Sequence, residues 1–209
     1  MTRGRRGALA AAGLVLAAGA VVVAGELHED GPAIPTVVTV SSPSPTGAAR
    51  VATGFGVGPH RVVTVAHLLE PGQRLLVRTG DGRAHRARIV RVDRTDDLAL
   101  LEVPGLAARA PRTTAGQGGP ALVLVRRSGR VVAMKVAIRR SVTAHVTGPG
   151  TGPYVRPALE LAAPVAIGDS GAPVVDENGA VAGIVFARSN GRPGTAYAVD
   201  ARALASVRR

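Results

Sequence analysis

A histidine, an aspartate and a serine, each at the edge of an apolar run, are the residues of this chain that could act together chemically. His67 ends the run RVVTVAH, Asp97 directly precedes LALLEV, and Ser170 lies in Gly-Asp-Ser-Gly ahead of APVV. A hydroxyl activated by an imidazole, which a carboxylate orients, is a nucleophile for acyl transfer. The three residues therefore indicate acyl-transfer chemistry, provided that the fold brings them together.

Each of these residues also has a purely structural interpretation. A lone histidine at a strand end is commonly structural, Asp97 could cap a solvated loop, and Asp-Ser-Gly forms ordinary turns. By strand alternation, Asp96 should point away from Asp97, which leaves Asp97 as the carboxylate that can be buried against an imidazole. Gly168 and Gly171 favour a sharp turn that exposes the Ser170 oxygen and gathers N–H groups where an oxyanion would form.

The elements that must position these residues are short strands. From residue 48 onward, apolar runs alternate with turn signals such as Gly-Asp-Gly and Asn-Gly. The predicted strands are 51–57, 61–66, 74–78, 84–92, 98–103, 121–126, 131–138, 141–146, 158–161, 172–175, 180–187 and 195–199. A loop rich in Pro, Thr and Gly at 104–120 separates two halves, and 201–207 is predicted as a short helix. We expect an all-β fold of two small antiparallel barrels, one per half, with a short C-terminal helix.

The N-terminal region predicts export. Residues 8–25 are uncharged and apolar and follow Arg3, Arg5 and Arg6, so residues 1–25 are predicted as a hydrophobic helix, either a signal peptide or a membrane anchor. The basic residues should stay in the cytoplasm and send the following chain outward. Cleavage after Ala20 or Gly25 is the alternative to an uncleaved anchor. Residues 26–47, rich in Pro, Ser and Thr apart from TVVTV, are predicted as a tether, and the folded domain as 48–209.

Composition excludes several kinds of site. The formal net charge is +12, but the basic residues are spread along the chain and aromatic residues make up 2% of it, so nucleic-acid binding is not predicted. The absence of cysteine excludes disulfides, thiolate zinc sites and cysteine nucleophiles. The histidines outside the candidate site lack paired ligand spacing, so neither a metal nor a cofactor is predicted. They are His28, His60, His85 and His145.

The three motifs and their order resemble those of the chymotrypsin-like (trypsin-like) serine peptidase family. The motifs are Thr64-Val65-Ala66-His67, Asp97-Leu98-Ala99-Leu100-Leu101 and Gly168-Asp169-Ser170-Gly171-Ala172-Pro173, with further likeness at Thr53-Gly54-Phe55 and Gly183-Ile184-Val185-Phe186-Ala187. The compact spacing and the N-terminal segment are most similar to the bacterial extracytoplasmic branch, related to HtrA-type and membrane-anchored acid-resistance proteases. Ala172 departs from the commoner glycine.

This resemblance implies two six-stranded antiparallel barrels, and it implies roles for the matching residues. His67 would accept the proton of Ser170 and return it to the leaving amine, while Asp97 orients the imidazole. The backbone N–H groups of Gly168 and Ser170 would form the oxyanion hole. Asp169 matches the residue that receives a new N-terminus in members activated by cleavage. No activation segment is evident here, so Asp169 is expected to pair with an arginine or with backbone donors instead, or the enzyme needs an unseen trigger.

The resemblance also implies a substrate site. Substrate would add a strand beside Val185, Phe186 and Ala187. Pro164 occupies the position that is acidic in members cutting after Lys or Arg, so cleavage after basic residues is not expected. A small or apolar residue is expected before the scissile bond, or an acidic one if Arg188 turns inward.

The expected function is therefore that of a serine endopeptidase acting on polypeptides outside the cytoplasm, at the membrane if the leader is retained and secreted if it is cleaved. The alternative is a catalytically silent trypsin-like fold that binds peptides or partner proteins. A basic wall-binding or nucleic-acid-binding β-domain is a third interpretation, which rests on charge alone. The substrate and the oligomeric state stay open.

Overall fold

The structure is a computed structural model that describes residues 20–21, 34–42, 49–69, 72–148 and 151–208. The described chain is almost entirely β. Its strands are β1 (Ala20–Val21), β2 (Val37–Ser42), β3 (Arg50–Gly58), β4 (Arg61–Val65), β5 (Leu75–Arg78), β6 (Ala84–Asp93), β7 (Leu98–Glu102), β8 (Gly119–Arg127), β9 (Arg130–Gly148), β10 (Thr151–Ala162), β11 (Pro173–Val175), β12 (Val181–Arg188) and β13 (Thr195–Asp200). A 3-10 turn (Ala201–Ala203) and helix α1 (Leu204–Arg208) follow, where the short C-terminal helix is expected.

The first barrel closes in the order β2-β3-β4-β7-β6-β5, with every neighbouring pair antiparallel. Side chains that alternate along each strand fill its interior, among them Val62, Val77 and Leu101, all fully buried. This half matches the expected six-stranded barrel.

Strand β2 lies in the stretch that the composition predicts as a tether. It pairs with both β3 and β5, with Val38 opposite Gly54 and Val40 opposite Val77. The alternation within TVVTV supplies an apolar face, so Val38 and Val40 are buried. Without β2, the two strand edges that it pairs with would be unpaired. The expected start of the folded region at residue 48 is therefore too late.

The second barrel is a ring-like sheet. Its order is β9-β10-β13-β12-β11-β8, and β8 pairs again with β9. The two strands predicted at 131–138 and 141–146 are one strand, β9. A register shift opposite Glu160 and Leu161, which pair with Arg140 and Ile138, leaves Arg139 as an extra residue. This bulge bends the strand without ending it.

The hydrophobic helix predicted for residues 1–25 is not seen where the structure describes that segment. Ala20–Val21 is a strand, with Ala20 opposite Met134 and Val21 opposite Ala133 on β9. The rest of the predicted leader, and residues 26–33 and 43–48 of the predicted tether, lie outside the described residues. Within the described ranges, no helix has the length and apolar character needed to cross a membrane.

The barrels share an apolar interface that fixes the cleft between them. One buried cluster contains Phe55 and Leu98 from the first barrel together with Leu124 and Ile184 from the second. A second cluster joins Leu101 and its neighbours to Phe186. Residues at the facing edges of the two barrels are consequently held at fixed positions.

Candidate active site

The pairing of β4 with β7 places His67 beside Asp97. Val65 lies opposite Leu98 in this ladder, so the residues just beyond each strand meet. His67 Nδ1 lies 2.6 Å from Asp97 Oδ2, and the backbone N–H of His67 donates to Asp97 Oδ1 at 2.8 Å. The N–H of Ala66 donates to the backbone carbonyl of Asp97 at 2.8 Å. The carboxylate therefore fixes both the backbone and the ring of His67.

Asp97 is buried and its neighbour Asp96 is not. Asp97 is 4% exposed and has a φ of 55°, a left-handed conformation that aspartate tolerates better than most residues and that often occurs at functional sites. Asp96 is half-buried, and burial together with the charge of Asp93 raises its pKa. The two carboxylates thus differ in burial, as strand alternation predicts.

The loop between β10 and β11 carries Ser170 on a glycine-dependent turn. Gly168 and Gly171 have φ of 95° and 88°, and a Cβ on Gly171 would lie 2.0 Å from the Thr53 carbonyl oxygen. The first barrel holds this loop through Thr53, whose N–H donates to the Ser170 carbonyl and whose Oγ1 donates to the Gly168 carbonyl, both at 2.9 Å. A residue of β3 therefore positions the serine.

The Ser170 hydroxyl donates to the Phe186 carbonyl at 3.5 Å. Among the hydrogen bonds of the described residues, none joins it to His67. His67 and Ser170 nevertheless line the same cavity, of about 200 Å³. A rotation of the hydroxyl about its Cα–Cβ bond changes its partner, and hydrogen bonds between nucleophile and base are often looser in free enzymes.

Backbone donors are available beside the serine. Within the described part of the chain, neither the N–H of Gly168 nor that of Ser170 donates to a protein acceptor, whereas the N–H of Gly171 is used by the Val185 carbonyl at 2.7 Å. Two N–H groups flanking a nucleophile suit a developing oxyanion.

Asp169 pairs with both kinds of partner that the sequence suggests, an arginine and a backbone donor. Its side chain is 3% exposed and accepts from Arg127 Nη2 at 2.5 Å and from the N–H of Ala166 at 2.8 Å. Arg127 ends β8, and no local signal in the sequence links it to a residue 42 positions away. The buried carboxylate thus has both an opposite charge and a backbone donor.

The cavity contains some of the predicted substrate residues and lacks others. Val185 and Ala187 line it, while Pro164 and Phe186 are not among its described lining residues. Phe186 is buried between the barrels and Pro164 is exposed. The lining residues are Val51, His67, Leu68, Val165, Ala166, Ile167, Gly168, Ser170, Val185, Ala187 and Arg188. Of these, Ile167 is 90% exposed, and sequence reasoning missed it together with Val51, Leu68 and Val165.

A profile of the trypsin-like peptidase domain matches residues 52–184, which include all three candidate residues. The chain belongs to this family. Within the described ranges, no three His, Asp or Glu side chains are grouped closely enough to hold a metal ion.

Relatives of this trypsin-like domain are named as serine proteases. The serine protease Rv3671c of Mycobacterium tuberculosis is 32% identical over 162 residues, covering 73% of this chain and 40% of that protein. A probable periplasmic DegP-like serine endoprotease of Halomonas elongata is 27% identical over 143 residues, covering 66% of this chain and 30% of its own length. The chain therefore spans less than half the length of these relatives.

Solved structures agree with the fold. The crystal structure of the active form of the Rv3671c protease matches with a TM-score of 0.73 and 30% identity, covering 82% of this chain and 78% of that one. An HtrA-type protease, AlgW, matches with a TM-score of 0.68 at 18% identity, over 84% of this chain and 59% of that one. The latter likeness concerns the fold alone.

Proposed function

We propose that this chain is a serine endopeptidase in which Ser170 is the nucleophile, His67 the general base and Asp97 the residue that orients the base. The observation that carries the proposal is the buried Asp97 carboxylate, bonded to both His67 N and Nδ1, with His67 and Ser170 on one cavity. Because Oδ2 accepts from Nδ1, the imidazole presents Nε2 as the atom that can take the serine proton.

The reaction follows from this arrangement. Ser170 Oγ attacks the scissile carbonyl while its proton moves to His67 Nε2, and the N–H groups of Gly168 and Ser170 bind the resulting oxyanion. His67 then returns the proton to the leaving amine, and an acyl-enzyme remains. Water attacks this ester with His67 again as base, which releases the acid product and restores the hydroxyl.

The substrate chain has a free strand edge beside the serine. Strand β12 pairs with β11 only as far as Ile184, whereas its pairing with β13 continues to Arg188. The backbone N–H and carbonyl of Val185 already bond with Ala172 and Gly171. Residues 186–188 thus offer backbone groups on the side of Ser170, where a peptide can add as a strand. The lining side chains Val51, Leu68, Val165 and Ile167 favour small or apolar residues near the scissile bond.

We further propose that the enzyme acts outside the cytoplasm and that residues 1–25 form its membrane anchor or signal. The apolar run after three arginines supports this placement, as does the periplasmic designation of the Halomonas relative. Protease treatment of intact cells, followed by detection of the intact or shaved chain, tests it. A chain protected in intact cells and absent from the membrane and the medium contradicts it.

Labelling with a fluorophosphonate probe tests the reaction itself. The full chain should form one covalent adduct at Ser170, located by peptide mass mapping, and Ser170→Ala should form none. Equal labelling of Ser170→Ala refutes the proposed nucleophile. An unlabelled chain that still binds peptides measurably supports the catalytically silent alternative.

A further inference from the structure

Arg156 is a buried arginine that lies between the two halves of the candidate site. It is on β10 of the second barrel and is 2% exposed. Its Nη1 lies 4.0 Å from Asp97 Oδ2 in the first barrel, and its Cζ lies 4.9 Å from the ring centroid of Phe186. The Phe186 carbonyl in turn accepts from the Ser170 hydroxyl. One guanidinium therefore approaches both the carboxylate that orients His67 and the residue that contacts Ser170.

The charge of Arg156 acts on a small set of neighbours. Burying a cation is unfavourable unless opposite charge lies nearby. The last residue of β6, Asp93, and the loop residues Asp96 and Asp97 supply negative charge. A Ser206 hydrogen bond, with help from the charge of Arg156, holds the pKa of Asp93 below its ordinary value. For Asp96, burial and Asp93 raise the pKa against the lowering effect of Arg156.

These neighbours determine what the charge does to His67. One oxygen, Asp97 Oδ2, lies 4.0 Å from Arg156 Nη1 and 2.6 Å from His67 Nδ1, and the exposed Arg188 is a further cation on the cavity that His67 lines. Arginine stays charged at every relevant pH. A fixed positive charge this near the imidazole opposes the addition of a proton to it, and burial protects this effect from salt.

We propose that Arg156 is a positioning residue that acts through Asp97 on His67, and that its buried charge extends activity to lower pH. The inference rests on the proposed peptidase function, because a general base must be unprotonated to accept the serine proton. The arrangement has a cost, since the same charge also disfavours the imidazolium that forms during the reaction. Arg156 thus trades maximal rate for activity under acidic conditions.

The test is the pH profile of kcat/KM for the full chain, two Arg156 variants and one control variant. Arg156→Met keeps the apolar stem and removes the charge, so the acid limb should move to higher pH by about one unit. Arg156→Lys keeps a charge and should leave the limb close to its original position. Arg130→Met, which removes an exposed arginine from β9, is the control of equal net charge and should not move the limb. Thermal unfolding and probe labelling at pH 8 establish that each variant is folded.

A purely structural role gives a different result. Arg156→Met would then lose activity by the same factor at every pH, with the acid limb unmoved, and that outcome overturns the inference. If Arg156→Met does not fold, the unmodified chain is assayed from 50 mM to 1 M NaCl. A buried charge predicts an acid limb that salt does not move, whereas a limb that moves to higher pH with salt assigns the effect to surface arginines and also overturns it.

The outcomes separate this inference from the proposed function. If the unmodified chain is not labelled at Ser170, the peptidase proposal fails and this inference fails with it. If the chain is labelled and cleaves peptides but Arg156→Met keeps the original acid limb, only the role of Arg156 is refuted.

Discussion

At the scale of single residues, the aspartate pair ahead of β7 provides a matched experiment. Asp97→Asn should lower kcat by about 10⁴-fold, because an amide cannot hold the imidazole in the required tautomer. Asp96→Asn alters a half-buried side chain one residue away and should leave kcat near its original value. Steady-state kinetics on a peptide substrate measures both. Equal losses of kcat in the two variants would show that the conformation of the loop, and not the Asp97 carboxylate, determines kcat.

The sequence predicts these residues because each stands at the end of a recognisable strand. His67, Asp97 and Ser170 follow or precede apolar runs, and antiparallel pairing brings strand ends together. Arg127 and Arg156 give no such signal, because their partners Asp169 and Asp97 are distant in the chain and nothing in the local pattern separates them from the many surface arginines. Only three-dimensional pairing distinguishes a buried arginine from a solvated one.

At the scale of elements, the serine loop depends on a side chain from another strand. Arg127→Met removes the charge partner of Asp169, which leaves a buried carboxylate without its ion pair. The loop should then relax and its N–H groups should lose their alignment. We expect kcat to fall by about 10²-fold, as for the loss of an oxyanion donor. The double variant Arg127→Met/Asp169→Asn should recover part of the lost kcat, because it no longer carries an unpaired buried carboxylate. Kinetic assays of both variants measure this.

The control for this prediction is Arg130→Met, an exposed arginine at the start of β9 on the same hairpin. It should behave like the unmodified chain. An Arg127→Met variant with unchanged kcat, or an Arg130→Met variant with an equal loss, would contradict the role given to the Arg127–Asp169 pair.

Strand β2 defines a second prediction at this scale. A chain that begins at residue 49 lacks β2 and exposes the edges of β3 and β5, so it should aggregate or melt without cooperativity. A chain that begins at residue 34 keeps β2 and the partly buried Ile34 and should unfold cooperatively. Circular dichroism melting and gel filtration compare the two. A cooperative transition of equal midpoint in the shorter chain would show that the barrel does not need β2.

The errors in predicting elements have a physical basis. TVVTV is short and surrounded by Pro, Ser and Thr, so its composition indicates a tether, although its alternating valines face the barrel interior. In β9, the polar Arg139 and Arg140 interrupt the apolar pattern and suggest a strand end, whereas they mark a bulge in a continuous strand. Whether a barrel needs a further strand at one of its edges depends on residues distant in the chain, so local composition cannot predict it.

At the scale of the whole molecule, the second barrel is held together on one side by a buried carboxylate. Glu160 on β10 is 3% exposed, and it is paired with Arg139 and Arg140 on the β9 bulge and with Arg192 in the loop before β13. Arg192 Nη2 lies 2.9 Å from Glu160 Oε2 and also donates to the Tyr197 hydroxyl at 2.7 Å. One acidic residue therefore connects three elements of a strongly basic molecule.

This cluster predicts how stability depends on pH. Burial would raise the pKa of Glu160, but hydrogen bonds and charges from Arg192 and its neighbours outweigh burial and hold the pKa below its ordinary value of 4.5. A lowered pKa in the folded state means that the stabilisation is complete above about pH 4.5 and disappears as the pH falls through the folded-state value. Glu160→Gln should therefore lower the free energy of unfolding at pH 7 by about 1.5–3 kcal/mol, the usual contribution of hydrogen bonds to a charged group.

Urea unfolding of the two proteins at a series of pH values measures this difference. The difference in unfolding free energy should be constant from pH 7 to about pH 5. It should disappear at lower pH, because the original carboxyl is then protonated and resembles the amide. Glu177→Gln, at an exposed turn, should show no such difference at any pH. A difference for Glu160→Gln that persists unchanged at the acid end would mean that shape and packing, and not the charge of the carboxylate, connect the three elements.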